Sequence, residues 1–88
     1  MGKVDCFAVA GLVLKFMSSD HLPEHFHARR PGEWEIRVFF LRCSEGELDY
    51  EVIWGDGPSK TPRNDLLSGV LEHREQLILE WHLKVNQK

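Results

Sequence analysis

The segment Glu33-Trp34-Glu35-Ile36-Arg37-Val38-Phe39-Phe40-Leu41 decides the fold. Trp34, Ile36, Val38 and Phe40 point one way, and Glu33, Glu35 and Arg37 the other. Successive strand side chains alternate sides, so this is a strand with one apolar and one polar face. Pro31-Gly32 just before it is a turn dipeptide. Phe26 to Arg30 on the far side of that turn reads as a short partner strand. A two-residue loop would set Arg30 opposite Glu33 and put His27 beside Ile36 on the apolar face. A three-residue loop, read as pairing Phe26 with Ile36 and Ala28 with Trp34, leaves His25, His27 and Arg29 on the polar side with Glu35 and Arg37. The hydrophobic pattern favours the second register.

Working outward, Phe7 to Met17 reads as a further strand, central because both faces are fairly apolar. Ser18 to Pro23 is a polar loop. Ser44-Glu45-Gly46-Glu47 is a turn, and Leu48, Tyr50, Val52 and Trp54 alternate in another strand. Gly55 to Lys60 is a Gly/Pro loop without phosphate-loop spacing. Thr61-Pro62 opens a helix, with Thr61 as cap. It runs from about Pro62 to Val85, and one face gathers Leu66, Leu67, Val70, Leu71, Leu77, Ile78, Trp81 and Val85. Glu80 and Lys84 form an i,i+4 pair on the solvent side. Gly69 costs this helix about 1 kcal/mol relative to Ala. The expected fold is α+β: an antiparallel β-sheet of three to five strands covered on one face by a long C-terminal helix. The expected core is Trp34, Ile36, Val38, Tyr50, Val52, Leu67, Val70, Leu77 and Trp81, with the three tryptophans, Trp54 included, as anchors.

The chain of 88 residues is expected to be a single domain with an ordered core over about 6–85. A charged fraction of 28 % and a hydrophobic fraction of 42 % argue against disorder. A net charge of −3 gives no general pull toward nucleic acid or anionic lipid. The nearly apolar run Cys6 to Met17 is shorter than the about 20 residues a bilayer requires. It is preceded by Asp5 and followed by no small-x-small pattern, which disfavours a signal peptide. Cys6 stands where a myristoylation signal wants Ser or Thr. Cys6 and Cys43 make no disulfide scaffold and read as free thiols in a reducing cytoplasm.

The chemistry-bearing stretch is Asp20-His21-Leu22-Pro23-Glu24-His25-Phe26-His27. A His-x-His pair on a strand can hold one metal ion through both imidazoles. With His21 as a third ligand, His21, His25 and His27 would make a zinc site with an open position. Glu24 or Asp20 could orient an imidazole from behind. Alternatively, each ring satisfies backbone groups as the chain enters the sheet. The expected polar face, exposed or lining a cleft, carries His25, His27, Arg29 and Arg37 and would attract an anion or an acidic partner.

Arg74 lies near the centre of the helix's apolar face. Its charge needs a partner there, either a carboxylate of the sheet or loops or an anion held with the histidine segment. Arg29, Arg37 and Arg74 are therefore the anion-binding candidates, and His25, His27, His73 and Arg74 the catalytic ones. Leu79 and Leu83 sit opposite the main stripe and offer a patch for a partner or a second copy.

His21-x-Pro23-x-His25-Phe26-His27, followed by a hairpin, Pro62-Arg63 at a helix start and His73-Arg74-Glu75-x-Leu77 with Trp81, resembles the small bacterial domain of unknown function family 4160. The resemblance covers about residues 7–83. Glu24 departs from it, standing where family members usually read a second proline, and the segment from Arg42 to Thr61 is longer than usual. The resemblance implies a cytoplasmic protein without established activity. Its gene would be paired with that of another small protein, in toxin–antitoxin-like fashion. The expected function is thus an interaction component of a two-protein module. The alternative is a metal-assisted or His-based hydrolase acting on phosphodiesters. The lack of paired carboxylates for Mg²⁺ disfavours the alternative. Direct nucleic-acid binding lacks a basic stripe.

Overall fold

The computed structural model describes residues 2–17 and 21–85. Asp20, expected behind an imidazole, and the start of the expected 18–23 loop lie outside the described residues. The elements are β1 (Val13–Lys15), β2 (Phe26–Arg30), β3 (Trp34–Val38), β4 (Tyr50–Gly55) and α1 (Lys60–Lys84). The strands form one antiparallel sheet in the order β1-β2-β3-β4. Trp34, Ile36, Val38 and Phe40 are buried, together with Leu66, Val70, Leu77, Trp81 and Val85 of the C-terminal segment, in one core. The α+β architecture is the expected one, and neither cysteine is in a disulfide.

The β2–β3 loop has three residues, since Arg30 pairs with Trp34. The partners are Phe26 with Val38 and Ala28 with Ile36, two residues along from the expected pairs. A two-residue offset preserves alternation, so His27 and Arg29 still share the outer face with Arg37 and Glu35.

Three expectations are corrected. The first strand is short: Gly11, at φ +82°, turns the chain, and Leu12 N–H closes that turn on the Val9 carbonyl at 3.1 Å. Phe7 to Ala10 therefore leave the sheet, and β1 is its first strand rather than a central one. The outer edge of β1 is closed by residues 2–4: Val4 N–H donates to Leu14 C=O at 3.1 Å, and Phe16 N–H donates to Gly2 C=O. In β4 the alternation breaks. Ile36 pairs with Val52 and Glu35 with Trp54, so Ile53 is an extra, bulged residue. The bulge moves Trp54 onto the outer face beside Glu35, where it is 44 % exposed. Val52 is 43 % exposed and Tyr50 only half-buried, so β4 supplies none of the expected fully buried anchors. Finally, the helix starts at Lys60 with Ser59 as its cap residue, not Thr61. Pro62 is then in the first turn, where N–H groups have no intrahelical acceptor.

Within α1 the apolar stripe holds across a break at His73, whose backbone is not helical (φ −121°, ψ 24°). Leu71, expected on that stripe, is 40 % exposed. Leu79 and Leu83 are 63 % and 73 % exposed, as their place opposite the stripe requires.

Candidate functional site

The histidine segment enters the sheet tightly bound to its surroundings. His25 Nδ1 donates to the Pro23 carbonyl at 2.8 Å. Its ring lies against those of His27, Phe39 and Trp81 at centroid distances of 5.3, 5.6 and 5.7 Å. His27 Nδ1 donates to Glu35 Oε2 at 3.2 Å. Both side chains are buried rather than exposed, although His25 still borders a depression as a cleft-lining residue would. The physical reason is Phe39. It follows β3 and packs on His25, while the Arg42 guanidinium covers its ring at 4.6 Å from the centroid.

His21 is exposed, and with His25 it borders an open depression of about 460 Å³ also lined by Leu22, Pro23, Arg37, Phe39 and Glu51. Among the described residues, no three His, Cys, Asp or Glu side chains converge to hold a metal ion. The expected zinc triad of His21, His25 and His27 is therefore not assembled. The Nδ1 atoms of the two buried rings are instead turned to the Pro23 carbonyl and to Glu35.

The basic candidates also separate. Arg37 Nη1 donates to Glu51 Oε1 at 3.1 Å on the outer face. Arg29 shares that face, level with Val13 and Glu35. Among the described residues, Arg74 forms no ion pair with a carboxylate and no hydrogen bond with a histidine. Its Nη2 donates to the Cys43 carbonyl at 2.5 Å. A main-chain carbonyl meets a guanidinium without the desolvation of a second charge, which the expected ion pair would have required. His73 stacks on Phe7 at 5.7 Å and 4° and lies 3.7 Å from Glu72. The four catalytic candidates thus divide into a His25/His27 pair, with His25 against Phe39, and a His73/Arg74 pair whose contacts lie with Phe7, Glu72 and Cys43.

Sequence reasoning missed the best-organised polar cluster. Glu80 is buried, not on the solvent side. Its Oε1 and Oε2 accept the N–H groups of Asp5 and Cys6, each at 2.8 Å. Lys84 Nζ completes the clamp on Glu80 (2.9 Å), Asp5 (2.7 Å) and the Lys3 carbonyl (2.6 Å). Burial alone would raise the Glu80 pKa, but the Asp5 N–H, Lys84 and Cys6 together hold it below the usual carboxylate value. Burial, with Glu80 beside it, pushes the Cys6 thiol up to about 12. Burial likewise raises the Cys43 thiol. Neither cysteine has thiolate character at neutral pH. An i,i+4 Glu-Lys pattern looks the same whether or not a chain segment lies over it, so nothing in the sequence marked this clamp.

These features define a small α+β protein whose candidate catalytic side chains divide between two places rather than forming one site. The family model for the domain of unknown function DUF4160 matches residues 11–82, and the chain belongs to that family. No curated protein and no solved structure matches it. No helix among the described residues is long and apolar enough to cross a membrane.

Proposed function

We propose that this protein is a protein-interaction component of a two-protein, toxin–antitoxin-like bacterial module, and that its partner docks on β4. The observation that supports this is the exposure of Val52, Ile53 and Trp54, at 43, 38 and 44 %, on the last strand of the sheet. Soluble proteins rarely leave adjoining large apolar residues on a sheet edge uncovered, because such edges pair with other chains. The gene pairing implied by the family resemblance supplies a source for the partner.

The alternative, a His-based hydrolase acting on phosphodiesters, draws on the His27–Glu35 hydrogen bond. It needs an imidazole within reach of a substrate, and the burial of His25 and His27 argues against that.

The test is co-expression with the product of the adjoining gene, followed by size-exclusion chromatography. A stable complex is expected from the native chain. Ile53→Lys and Trp54→Ala should abolish the complex while leaving the melting temperature of the isolated chain nearly unchanged. Failure to form a complex, or a complex indifferent to both substitutions, would overturn the proposal.

A further inference from the structure

We infer that β4 is an acceptor strand for a basic, extended segment of the partner, which adds to the sheet as a fifth strand. This rests on the reading of β4 as the docking site and adds the chemistry and geometry of what docks there.

The two edges of the sheet are treated differently. Residues 2–4 close the edge at β1, with Lys3 bridging to Lys15, and the Glu80–Lys84 clamp holds the chain that follows them. At the other end, no strand among the described residues pairs with the outer edge of β4. The Asp49 carbonyl faces β3, since it accepts from Phe39 N–H at 3.0 Å. In an antiparallel ladder, inward and outward backbone groups alternate, so Glu51 also faces inward while Tyr50 and Val52 turn their N–H and C=O groups outward. Tyr50 to Gly55 contain no Lys and no Pro, the residues that commonly blunt such an edge. The bulge at Ile53, a device that blunts edges, comes after the Tyr50–Val52 pair of outward positions. Strand addition draws affinity from backbone bonds of this kind and specificity from alternate side chains.

Charge selects the occupant. From Ser44 to Pro58 the chain carries Glu45, Glu47, Asp49, Glu51 and Asp56 and no Lys or Arg. Arg37 takes Glu51 at 3.1 Å and Arg42 takes Asp49 at 3.3 Å. Glu45, Glu47 and Asp56 are exposed and form no ion pair among the described residues. A second copy pairing β4 against β4 would align two such acidic segments, and like charges facing each other across strands are unfavourable. A partner strand bearing Lys or Arg meets complementary charge along the same line.

The probes are two synthetic peptides of equal length, one alternating Lys with Val and Ile, the other Glu with Val and Ile. Amide hydrogen exchange followed by NMR on the full chain reads the site. The lysine peptide should bind about tenfold or more tighter than the glutamate peptide at low salt, in line with charge-selected interfaces. It should slow exchange at Tyr50 and Val52, and its affinity should fall as salt rises. Val52→Pro removes one outward N–H without disturbing the β3 ladder and should abolish binding. The double change Glu45→Lys with Glu47→Lys, at exposed positions, should erase the preference between the peptides. Equal binding of both peptides at these amides would overturn the charge selection and leave the docking reading standing. Concentration-dependent protection of the same amides without peptide would overturn the inference in favour of a second copy. A partner complex formed in co-expression that survives Val52→Pro would overturn strand addition. One that also survives Ile53→Lys and Trp54→Ala would overturn the docking site itself.

Discussion

Gly69→Ala separates what the helix wants from what the tertiary structure allows. In an exposed helix interior the change stabilises by about 1 kcal/mol. Here a Cβ on residue 69 would lie 2.1 Å from Cε2, 2.2 Å from Cδ2 and 2.8 Å from Cζ of Phe7. Carbon atoms pack at about 3.5–4.0 Å, so the ring must retreat by roughly 1.5 Å. Phe7 has little room to do so. It is edge-on to Phe26 at 6.0 Å and stacked on His73 at 5.7 Å. Overpacking of this kind costs about 1–3 kcal/mol, and each aromatic pair given up adds about 0.5–1.5 kcal/mol. Set against the helix gain, Gly69→Ala should destabilise by about 1–3 kcal/mol. At about 4–8 °C per kcal/mol, the melting temperature should fall by several degrees or more. The control is the same change in Phe7→Ala. There the obstacle is gone and the alanine should stabilise by about 0.5–1 kcal/mol. Urea unfolding of the four proteins, followed by tryptophan fluorescence, gives the coupling energy, expected at about 1.5–4 kcal/mol. If Gly69→Ala alone stabilises, or has the same effect in both backgrounds, Phe7 does not occupy the space beside Gly69 and the reasoning is refuted.

Two further outcomes follow from the buried polar groups. Glu80→Ala leaves the Asp5 and Cys6 N–H groups and Lys84 without their shared acceptor, and should cost about 2–4 kcal/mol in urea unfolding. Because the folded-state pKa of Glu80 is lowered, its contribution is present above the unfolded value of about 4.3 and is lost as pH falls through the folded value. The native chain should therefore lose stability on acidification below about pH 4 more steeply than Glu80→Ala does, and parallel acid titrations of the two would contradict the clamp. Arg74→Met should leave partner binding intact, since its contact is the Cys43 carbonyl. Phosphate should shift the melting temperatures of native and Arg74→Met proteins equally. A shift confined to the native protein would return Arg74 to the anion site that the sequence suggested.

Much of the fold was legible because it rests on local pattern. The alternation in residues 33–41 and the turn at Pro31-Gly32 carry β2 and β3. The stripe through Leu66, Val70, Leu77 and Trp81 carries α1, and all four are buried. What failed depends on single residues whose effect is not local. A bulge at Ile53 looks like uninterrupted alternation until the partner strand is present to show that it opposes nothing. Gly11 was one of several small residues in an apolar run, and only its positive φ reveals the turn that sends Phe7 toward Gly69. The helical glycine that looked like a cost is the space in which Phe7 packs. The site was less legible still. The sequence shows that His25 and His27 share a face but not that Phe39, from the same polar-side parity, packs on His25. An imidazole under an aromatic ring and bonded to a carbonyl or a carboxylate has the same one-letter code as a ligand.

The chemistry-bearing residues do not converge on one site in this molecule, and that dispersal bears on function. Had His25 and His27 both opened into one cleft with Arg74 beside them, the exposed β4 edge could be left as a tolerated imperfection. Instead the histidines hold the entry to β2, Arg74 holds the turn after β3, and Glu80 holds the N-terminal segment that closes the sheet at β1. His25, Arg74 and Glu80 each fix backbone, and His27 is held by the Glu35 side chain. The fold commits charged side chains to securing one edge of a small sheet and leaves the other edge apolar, acidic in its flanks and open. Covering the β1 edge while exposing Val52, Ile53 and Trp54 makes sense if the β4 edge is completed by another chain. The acidic flank then limits which chains can complete it, because an incoming strand must bring its own positive charge.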